Sequence, residues 1–243
     1  MIYRFDSLGS TNDQAQDEVY SHGDIIVAER QSAGRGQRGN KWISGQGLNL
    51  TLSAVVCPQG LELRRQFLLS QASALAICDV LRANGLSPRI KWTNDIYIGD
   101  KKIVGILIEN QLSGAKLVRS VVGIGLNINQ VEFDESLPNP TSMRAELGRE
   151  VDREQVLLQM EEALLRRYSM LNSGAFDQIS SEYRASMYRL SEEHPFRLKS
   201  GEIKLGTIVG VESSGELIID WAEDQRGAYM FGAIDFVIES RKR

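Results

Sequence analysis

The sequence predicts an α+β fold, in which a mixed sheet flanked by helices is followed by a small all-β module. Two observations support this prediction. Helix-like and strand-like segments alternate through the first three quarters of the 243 residues. From about residue 194 only short strand-like segments remain, separated by glycine- and serine-rich turns. We therefore expect one large domain over residues 1–190 and a β-barrel domain over 191–243.

The first part of the chain is expected to contain three strands and a short helix. STNDQAQDEVY (10–20) has Thr11 and Gln14 in capping-box spacing, which predicts a helix. The third strand alternates apolar and polar residues, as a strand with one covered face does. The strands are IYRF (2–5), DIIVAER (24–30) and LNLTLSAVV (48–56).

The middle of the chain predicts two long helices around a second group of strands. Residues 61–85 repeat apolar positions at helical spacing and end at an Asn-Gly stop signal. A second helix is expected from the capping pair Asp152/Gln155 to Gly174. Gly99 and Asp100 form a hairpin turn. The intervening strands are RIKW (89–92), IYI (96–98), KKIVGILIEN (101–110) and KLVRSVVGIGLNIN (116–129), and the C-terminal ones are FRLK, EIKLGTIVGV, GELIID, AYMF and AIDFVI.

The composition argues against several classes of protein. The net charge is −4 and the pI about 5.4, whereas general nucleic-acid binding needs a basic face. We see no signal peptide and no apolar run near the length of roughly 20 residues that spans a bilayer. Cys57, Cys78, His22 and His194 are isolated, so they predict reduced thiols in a cytoplasmic protein and no zinc site.

The stretch GRGQRGNKW (34–42) combines three glycines, two arginines and a lysine before a tryptophan. Glycines let backbone N–H groups approach a ligand, and arginines donate to phosphate or carboxylate oxygens. The stretch is neither GxxxxGK[ST] nor a GxGxxG that opens a helix, so it matches no common phosphate-binding motif. Composition alone leaves two interpretations open, an anion-binding loop and a flexible basic loop.

Two further stretches contain candidate site residues. Asn94 and Asp95 follow Trp92 in a turn, where they either bind the backbone or serve a ligand. Lys102 begins an apolar strand, either as an edge-strand charge or as a fixed cation in a cleft. In GIGLNIN (123–129), glycines within a strand indicate that something packs closely against the backbone.

Taken in order, these stretches resemble the biotin protein ligases. The combination of GRGxRGxxW with KWxND and K-x-x-G-I-L-x-E is specific to that family. The resemblance runs from about residue 3 to 130 and continues more faintly to the end. It implies a biotin- and ATP-binding domain like that of class II aminoacyl-tRNA synthetases over residues 1–190, and an SH3-like barrel over 191–243. The matching segments are STN (10–12), QSAGRGQRGNKW (31–42), KWTND (91–95), KKIVGILIE (101–109) and GIGLNIN.

Such enzymes join biotin to ATP as biotinoyl-5'-AMP, with release of pyrophosphate, and then pass the biotinoyl group to a carrier lysine. The resemblance therefore implies biotin, ATP and Mg²⁺, and as partner a biotin carboxyl carrier protein of a biotin-dependent carboxylase. A carboxylate and a polyphosphate repel each other, so the site must supply positive charge. Cytoplasmic location, no membrane and no DNA partner are expected. A homodimer through sheet edges is compatible with the resemblance.

The resemblance also assigns roles to matching positions. Arg35 and Lys102 would be the catalytic cations, with Lys102 acting electrostatically rather than as a nucleophile. Asp95 would be either linked to Mg²⁺ through ATP or purely structural. The biotin-binding residues would be Ser10, Thr11, Asn12, Gln31, Gly34, Arg35, Gly36, Trp42, Lys102, Gly105 and Gly123. The nucleotide-binding residues would be Arg35, Gln37, Arg38, Asn40, Trp42, Asn94, Asp95, Lys102, Asn127, Thr141 and Ser142.

Three positions depart from the family pattern. Gln37 stands where many relatives have an arginine, and Asn40 stands where some have a second one. This loop therefore carries less charge with which to retain an adenylate. Thr93 replaces a proline common in KWPND.

Two other functions are alternatives to a biotin ligase. A lipoate ligase or octanoyltransferase shares the fold but lacks GRGxRGxxW. A binding module without turnover would be favoured by loss of Lys102 or Arg35, and both residues are present.

Overall fold

The computed structural model describes residues 1–222 and 225–238. Its main feature is a seven-stranded mixed sheet in the order β1-β2-β3-β7-β6-β5-β4. The outer pair β1–β2 is parallel and every other neighbouring pair is antiparallel. This agrees with the predicted mixed sheet. The strands are β1 (Ile2–Phe5), β2 (Ile25–Ala28), β3 (Leu50–Val56), β4 (Pro88–Lys91), β5 (Asp95–Ile98), β6 (Lys101–Ser113) and β7 (Lys116–Leu126).

The long helices cover one face of this sheet. The central one, α2, is buried on nearly all sides because it packs on the sheet and between α4 and α5. Phe67 of α2 meets Tyr183 of α5 edge to face, with ring centroids 5.5 Å apart. The helices are α1 (Thr11–Gln14), α2 (Phe67–Ala83), α3 (Met143–Leu147), α4 (Arg153–Asn172) and α5 (Phe176–Ala185). In the described part of the chain, no helix combines the length and apolar character needed to cross a membrane.

The C-terminal part forms a five-stranded antiparallel sheet in the order β11-β10-β9-β8-β12. Its size and strand pattern agree with the predicted SH3-like module. Hydrogen bonds join it to the rest of the chain: the Trp92 indole donates to the carbonyl of Gly215, and Arg184 donates to that of Val209. The strands are β8 (Glu193–Leu198), β9 (Ile203–Val211), β10 (Leu217–Trp221), β11 (Gln225–Tyr229) and β12 (Ile234–Phe236).

The prediction of a helix over residues 10–20 is wrong about its length: only Thr11–Gln14 (α1) is helical. Ser10, not Thr11, is the N-cap, and it makes no side-chain capping bond. Beyond α1, Arg119 of β7 donates hydrogen bonds to the carbonyl oxygens of Ala15 and Tyr20. These carbonyls are therefore satisfied from the sheet, and the chain turns away instead of continuing as a helix.

Four other elements differ from the pattern-based predictions. Strand β3 is buried along its whole length rather than on one face, because α4 lies on one side and α1 on the other. Its polar Thr51 is satisfied by donating to the carbonyl of Ala28. Helix α2 begins at Phe67 rather than at residue 61, since backbone bonds tie Leu61 and Leu63 to the β6–β7 hairpin. The helices α3 and α5 were not predicted.

Candidate active site

A cavity of about 290 Å³ lies against the sheet face opposite the long helices, between the glycine loop and the C-terminal sheet. Residues from distant parts of the chain line it, including both ends of the predicted motif series. Its lining contains these predicted site residues: Ser10, Thr11, Asn12, Gln31, Arg35, Gly36, Gln37, Asn40, Trp42, Asn94, Asp95, Lys102, Gly105 and Gly123.

Lys102 extends into this cavity from the start of β6. Its ammonium Nζ lies 2.7 Å from Oδ1 of Asp95 on the neighbouring strand β5, and 5.9 Å from the ring centroid of Trp42. The backbone of Lys102 is fixed by bonds to the loop before α3, through Asn139 and Thr141. The cation is therefore held in place by a carboxylate and by a loop, which suits a group that must present charge to a ligand.

The KWTND turn is fastened to β6 and to the C-terminal sheet. The side-chain nitrogen of Asn94 donates to the carbonyl of Ile106, and the amide of Ile106 returns a bond to the carbonyl of Asn94. Trp92 donates to Gly215 at 2.9 Å. The side-chain amide of Asn94 thus has a structural role, while Asp95 next to it faces Lys102.

The STN segment forms the opposite wall of the cavity. The amide of Thr11 donates to the side-chain oxygen of Gln31 at 2.7 Å, which joins two predicted biotin-binding residues. The buried Ser53 hydroxyl lies 2.8 Å from Thr11 Oγ1 and 2.6 Å from Asn12 Oδ1. A Cβ at Gly123 would lie 2.1 Å from Asn12 Oδ1, so glycine is needed at position 123 for Asn12 to pack there.

The glycine loop folds back on itself and inserts its tryptophan into the cavity. The amide of Trp42 bonds to the carbonyl of Gly34, and that of Gly36 bonds to the carbonyl of Asn40. The indole ring lies against the backbone of β6 and β7, where a Cβ at Gly125 would be 2.2 Å away from it. Its Nε1 is buried without a hydrogen-bond partner among the described residues.

Five predicted residues lie outside the cavity lining. Gly34 accepts the Trp42 amide bond, and a Cβ at position 34 would lie 2.5 Å from the Trp42 carbonyl oxygen. Arg38 turns to the C-terminal sheet, where its guanidinium lies 4.6 Å from the ring centroid of Phe231 and donates to its carbonyl oxygen. The other three hold the segment after β7 together: Asn127 donates to the carbonyl of Thr141, the Thr141 hydroxyl bonds to Glu146, and Ser142 caps α3.

The structure adds residues that the sequence analysis missed. Lys91, Phe231 and Asp235 are the notable ones. Burial lowers the pKa of the Lys91 amine below its usual 10.5, while the nearby Asp95 carboxylate opposes this effect. Lys91 is the first residue of the KWTND motif, so the motif could have identified it as a candidate site residue. No sequence signal linked the C-terminal strands to the cavity. The other added lining residues are Lys41, Leu52, Trp92, Ile106, Leu107, Ile124 and Gly125.

The donor set around the cavity is consistent with a metal ion that arrives with a ligand. Asp95 and Asp235 both line it. Within residues 1–222 and 225–238, no group of three or more acidic, His or Cys side chains could hold a metal alone. Mg²⁺ commonly binds through one or two carboxylates and the phosphates of its nucleotide, and this set fits that pattern.

Comparison with known proteins gives consistent matches. The model of the biotin/lipoate A/B protein ligase family matches residues 4–127. The biotin–[acetyl-CoA-carboxylase] ligase of Paracoccus denitrificans is 34% identical over 201 residues, covering 80% of this chain and 82% of that protein. The bifunctional ligase/repressor BirA of Bacillus subtilis is 28% identical over 236 residues, covering 94% and 72%.

A solved structure agrees over nearly the entire chain. The biotin protein ligase from Aquifex aeolicus, in complex with biotin and ATP, matches with a TM-score of 0.82 and 26% identity. The match covers 98% of this chain and 99% of that one. The family match, the relative from Paracoccus denitrificans and the structural match agree on one family. The chain belongs to the biotin/lipoate A/B protein ligase family, as one of its biotin–protein ligases.

Proposed function

We propose that this chain activates biotin with Mg–ATP as biotinoyl-5'-AMP and transfers the biotinoyl group to a lysine of a biotin carboxyl carrier protein. The observation that carries the proposal is the position of Lys102. Its ammonium, paired with Asp95, faces a cavity whose other wall is the STN segment with Gln31. One cation therefore stands between a polar pocket for a small ring and a cationic region for phosphates.

The first chemical step joins two anions. A biotin carboxylate oxygen attacks the α-phosphorus of ATP, the bond to the bridging oxygen breaks, and pyrophosphate leaves. Without compensation, the carboxylate and the triphosphate repel each other. Lys102 lowers that cost by facing both groups, and Lys91 and Arg35 add positive charge around the same cavity. The Mg²⁺ carried by ATP, held beside Asp95 and Asp235, would neutralise charge on the leaving pyrophosphate.

The biotin side of the cavity would recognise a ring that both donates and accepts hydrogen bonds. Ser10, Thr11 and Gln31 offer hydroxyl, backbone and amide groups in a nearly buried wall. The biotinoyl tail would run along β6 and β7, where Gly105 and Gly125 leave the backbone uncovered apart from the indole of Trp42. That indole must move or share the space when the ligand enters.

In the second step, the carrier lysine amine attacks the biotinoyl carbonyl carbon, AMP leaves, and an amide forms. Two features of the loop bear on this step. Trp42 and the loop hairpin cover the cavity and would keep water from hydrolysing the adenylate. Lys41 stands exposed on the same loop, where it adds positive charge to the surface that a carrier would approach.

The test is pyrophosphate–ATP exchange with Mg²⁺, comparing biotin, lipoate and octanoate as the acid. We expect exchange with biotin alone. Lys102→Ala and Arg35→Ala should reduce it by about a hundredfold or more, as loss of a transition-state donor does. Lys101→Ala is the matched control, since Lys101 pairs with Glu146 and does not line the cavity.

Transfer is measured separately, by mass spectrometry of a carrier domain and of its variant in which the target lysine is replaced by arginine. We expect one added biotinoyl group on the first and none on the second. Exchange driven only by lipoate or octanoate would overturn the biotin assignment. Biotin binding without any exchange would instead indicate a binding protein.

A further inference from the structure

Arg35 of the glycine loop is tied to two carboxylates that belong to other elements. Its Nη2 lies 2.6 Å from Oδ1 of Asp13 in α1, and it donates to Oε2 of Glu109 in β6 at 2.8 Å. Arg35 also lines the cavity, where it is expected to meet an anionic ligand. The same guanidinium therefore fastens the loop to the protein and has to bind the substrate.

Both carboxylates contact the nitrogen that matters most for anion binding. A guanidinium binds a carboxylate or phosphate most strongly through two parallel N–H bonds from neighbouring nitrogens. It has two such pairs, Nη1 with Nη2 and Nε with Nη2, so Nη2 belongs to both. With carboxylate oxygens at 2.6 and 2.8 Å from Nη2, neither pair is open to a ligand. A ligand anion must displace one carboxylate to be bound in this way.

Asp13 is the carboxylate that is displaced at the lower cost. Its side chain is 60% exposed, so water can replace the lost contact, whereas the side chain of Glu109 is 30% exposed. Glu109 also accepts a hydrogen bond from the Asn12 side chain at 2.9 Å, which helps to hold it in place. Arg35 can therefore exchange Asp13 for a ligand oxygen and stay bonded to Glu109.

We propose that Asp13 competes with the ligand for Arg35, as a counter-charge that the biotin carboxylate or the α-phosphate must replace. The inference rests on the proposed function and deepens it, because it names a residue that sets the affinity of the site for anions. Asp13 then has two opposite effects. It holds the glycine loop against α1, and it weakens the binding of an anionic ligand. A neutral ligand leaves the pair of Asp13 and Arg35 intact and binds without this cost.

The experiment measures dissociation constants by calorimetry on the full chain, for three ligands that differ at one end. Biotin ends in a carboxylate, biotinol in a neutral alcohol, and biotinol-AMP in a phosphodiester. In Asp13→Asn we expect biotin and biotinol-AMP to bind about threefold more tightly, the size of one partly exposed ion pair. Biotinol should bind as it does to the wild type. Tighter binding of one anion alone would support the proposal and identify the group that Arg35 binds.

The second readout is amide hydrogen exchange within residues 34–42, in protein without added ligand. Asp13→Asn should exchange faster there, because the loop has lost one of its two fastenings. Tighter binding together with a looser loop is a combination that a general loss of structure does not produce. Asp13→Glu keeps the charge and should restore part of both properties.

Two controls separate the competition from a general change of charge. In an Arg35→Ala background there is nothing to compete for, so adding Asp13→Asn should change none of the dissociation constants. Asp17→Asn makes the same change of charge on the same segment, where the carboxylate accepts a bond from the amide of Val19. It should change neither the binding nor the exchange rate.

The outcomes are distinct. Unchanged or weaker binding of both anions in Asp13→Asn would overturn the role of Asp13 and leave the proposed function intact. A gain that extends to biotinol, or that persists in Arg35→Ala, would overturn it in the same way. Failure of the wild-type chain to bind biotin would overturn the proposed function itself, and this inference with it.

Discussion

Gln37 presents a neutral amide to the cavity, and its side-chain oxygen is buried without a partner among the described residues. An arginine there would offer the adenylate phosphate a charge-assisted hydrogen bond, which is stronger than a neutral one. We expect Gln37→Arg to slow adenylate release by roughly ten- to a hundredfold. Release is measured in a single turnover, by trapping free biotinoyl-AMP with hydroxylamine.

Gln37→Leu serves as the control for side-chain volume in that experiment. It should release the adenylate at least as fast as the wild type does. Equal release rates in Gln37→Arg and the wild type would mean that this side chain does not reach the phosphate.

Lys91 gives the site a dependence on pH in the alkaline range. Because burial lowers the pKa of its amine, Lys91 loses its charge below pH 10.5, where an ordinary lysine is still protonated. If Lys91 holds ATP phosphates, the KM for ATP should rise as the pH passes the lowered pKa. Lys91→Arg keeps its charge, so its KM should stay flat over the same range. The check is the KM for ATP from neutral pH to pH 10.5 in both proteins.

At the scale of elements, β7 has glycines where other parts of the site must approach its backbone. A Cβ at position 125 would overlap the Trp42 ring, so Gly125→Ala should push the indole out and open the glycine loop. We expect faster proteolytic cleavage within residues 34–42 and at least a tenfold loss of ATP exchange, by analogy with other overpacked sites.

Gly9→Ala is the matched control for that substitution, because a Cβ there meets nothing within 4 Å. It should leave both the cleavage rate and the exchange rate as in the wild type. Slow loop cleavage in Gly125→Ala would show that Trp42 can be seated elsewhere.

Elements were predictable where local pattern and tertiary packing agree. Helix α4 begins at its capping residue Asp152, which accepts bonds from the amides of Glu154 and Gln155 as the spacing predicts. Helix α1 stops early because Arg119, about a hundred residues away, satisfies the carbonyls that would have extended it. The sequence did not indicate Ser53 either, because its contacts with Thr11 and Asn12 join residues that are distant in the sequence.

At the scale of the molecule, the glycine loop rests on the C-terminal sheet. Arg38 binds the carbonyl of Phe231 and lies over its ring, while Phe231 also meets Trp92 edge to face. We expect Phe231→Leu, which removes the ring, to raise the KM for ATP about threefold to fivefold, the size of an exposed cation–π contact. Hydrogen exchange within residues 34–42 should become faster.

Arg38→Ala should give the same two changes, and the double variant should add little to either single one. Arg64→Ala removes an arginine that pairs with Glu62 on the surface, and it should change neither. Additive effects of the Arg38 and Phe231 variants would mean that the two residues act independently.

The family motifs predicted most of the residues that line the cavity, but not those from the C-terminal part of the chain. They named Lys102, Arg35 and the STN wall, all of which line it. They could not show that Phe231 and Asp235 complete it, because the contact joins segments nearly two hundred residues apart and depends on how the two sheets pack. The assignment of Arg38 to phosphates rested on its motif position, whereas its guanidinium lies on the C-terminal sheet.

The placement of the tryptophans makes the molecule its own optical probe. Of the three, Trp42 and Trp92 line the cavity. The third, Trp221, is held within the C-terminal sheet by Phe196 and by the hydroxyl of Tyr229. Indole fluorescence depends on its surroundings, so filling the cavity changes the emission of Trp42 and Trp92. The emission of Trp221 then serves as an internal reference. The binding and release of each substrate can therefore be timed in unlabelled protein.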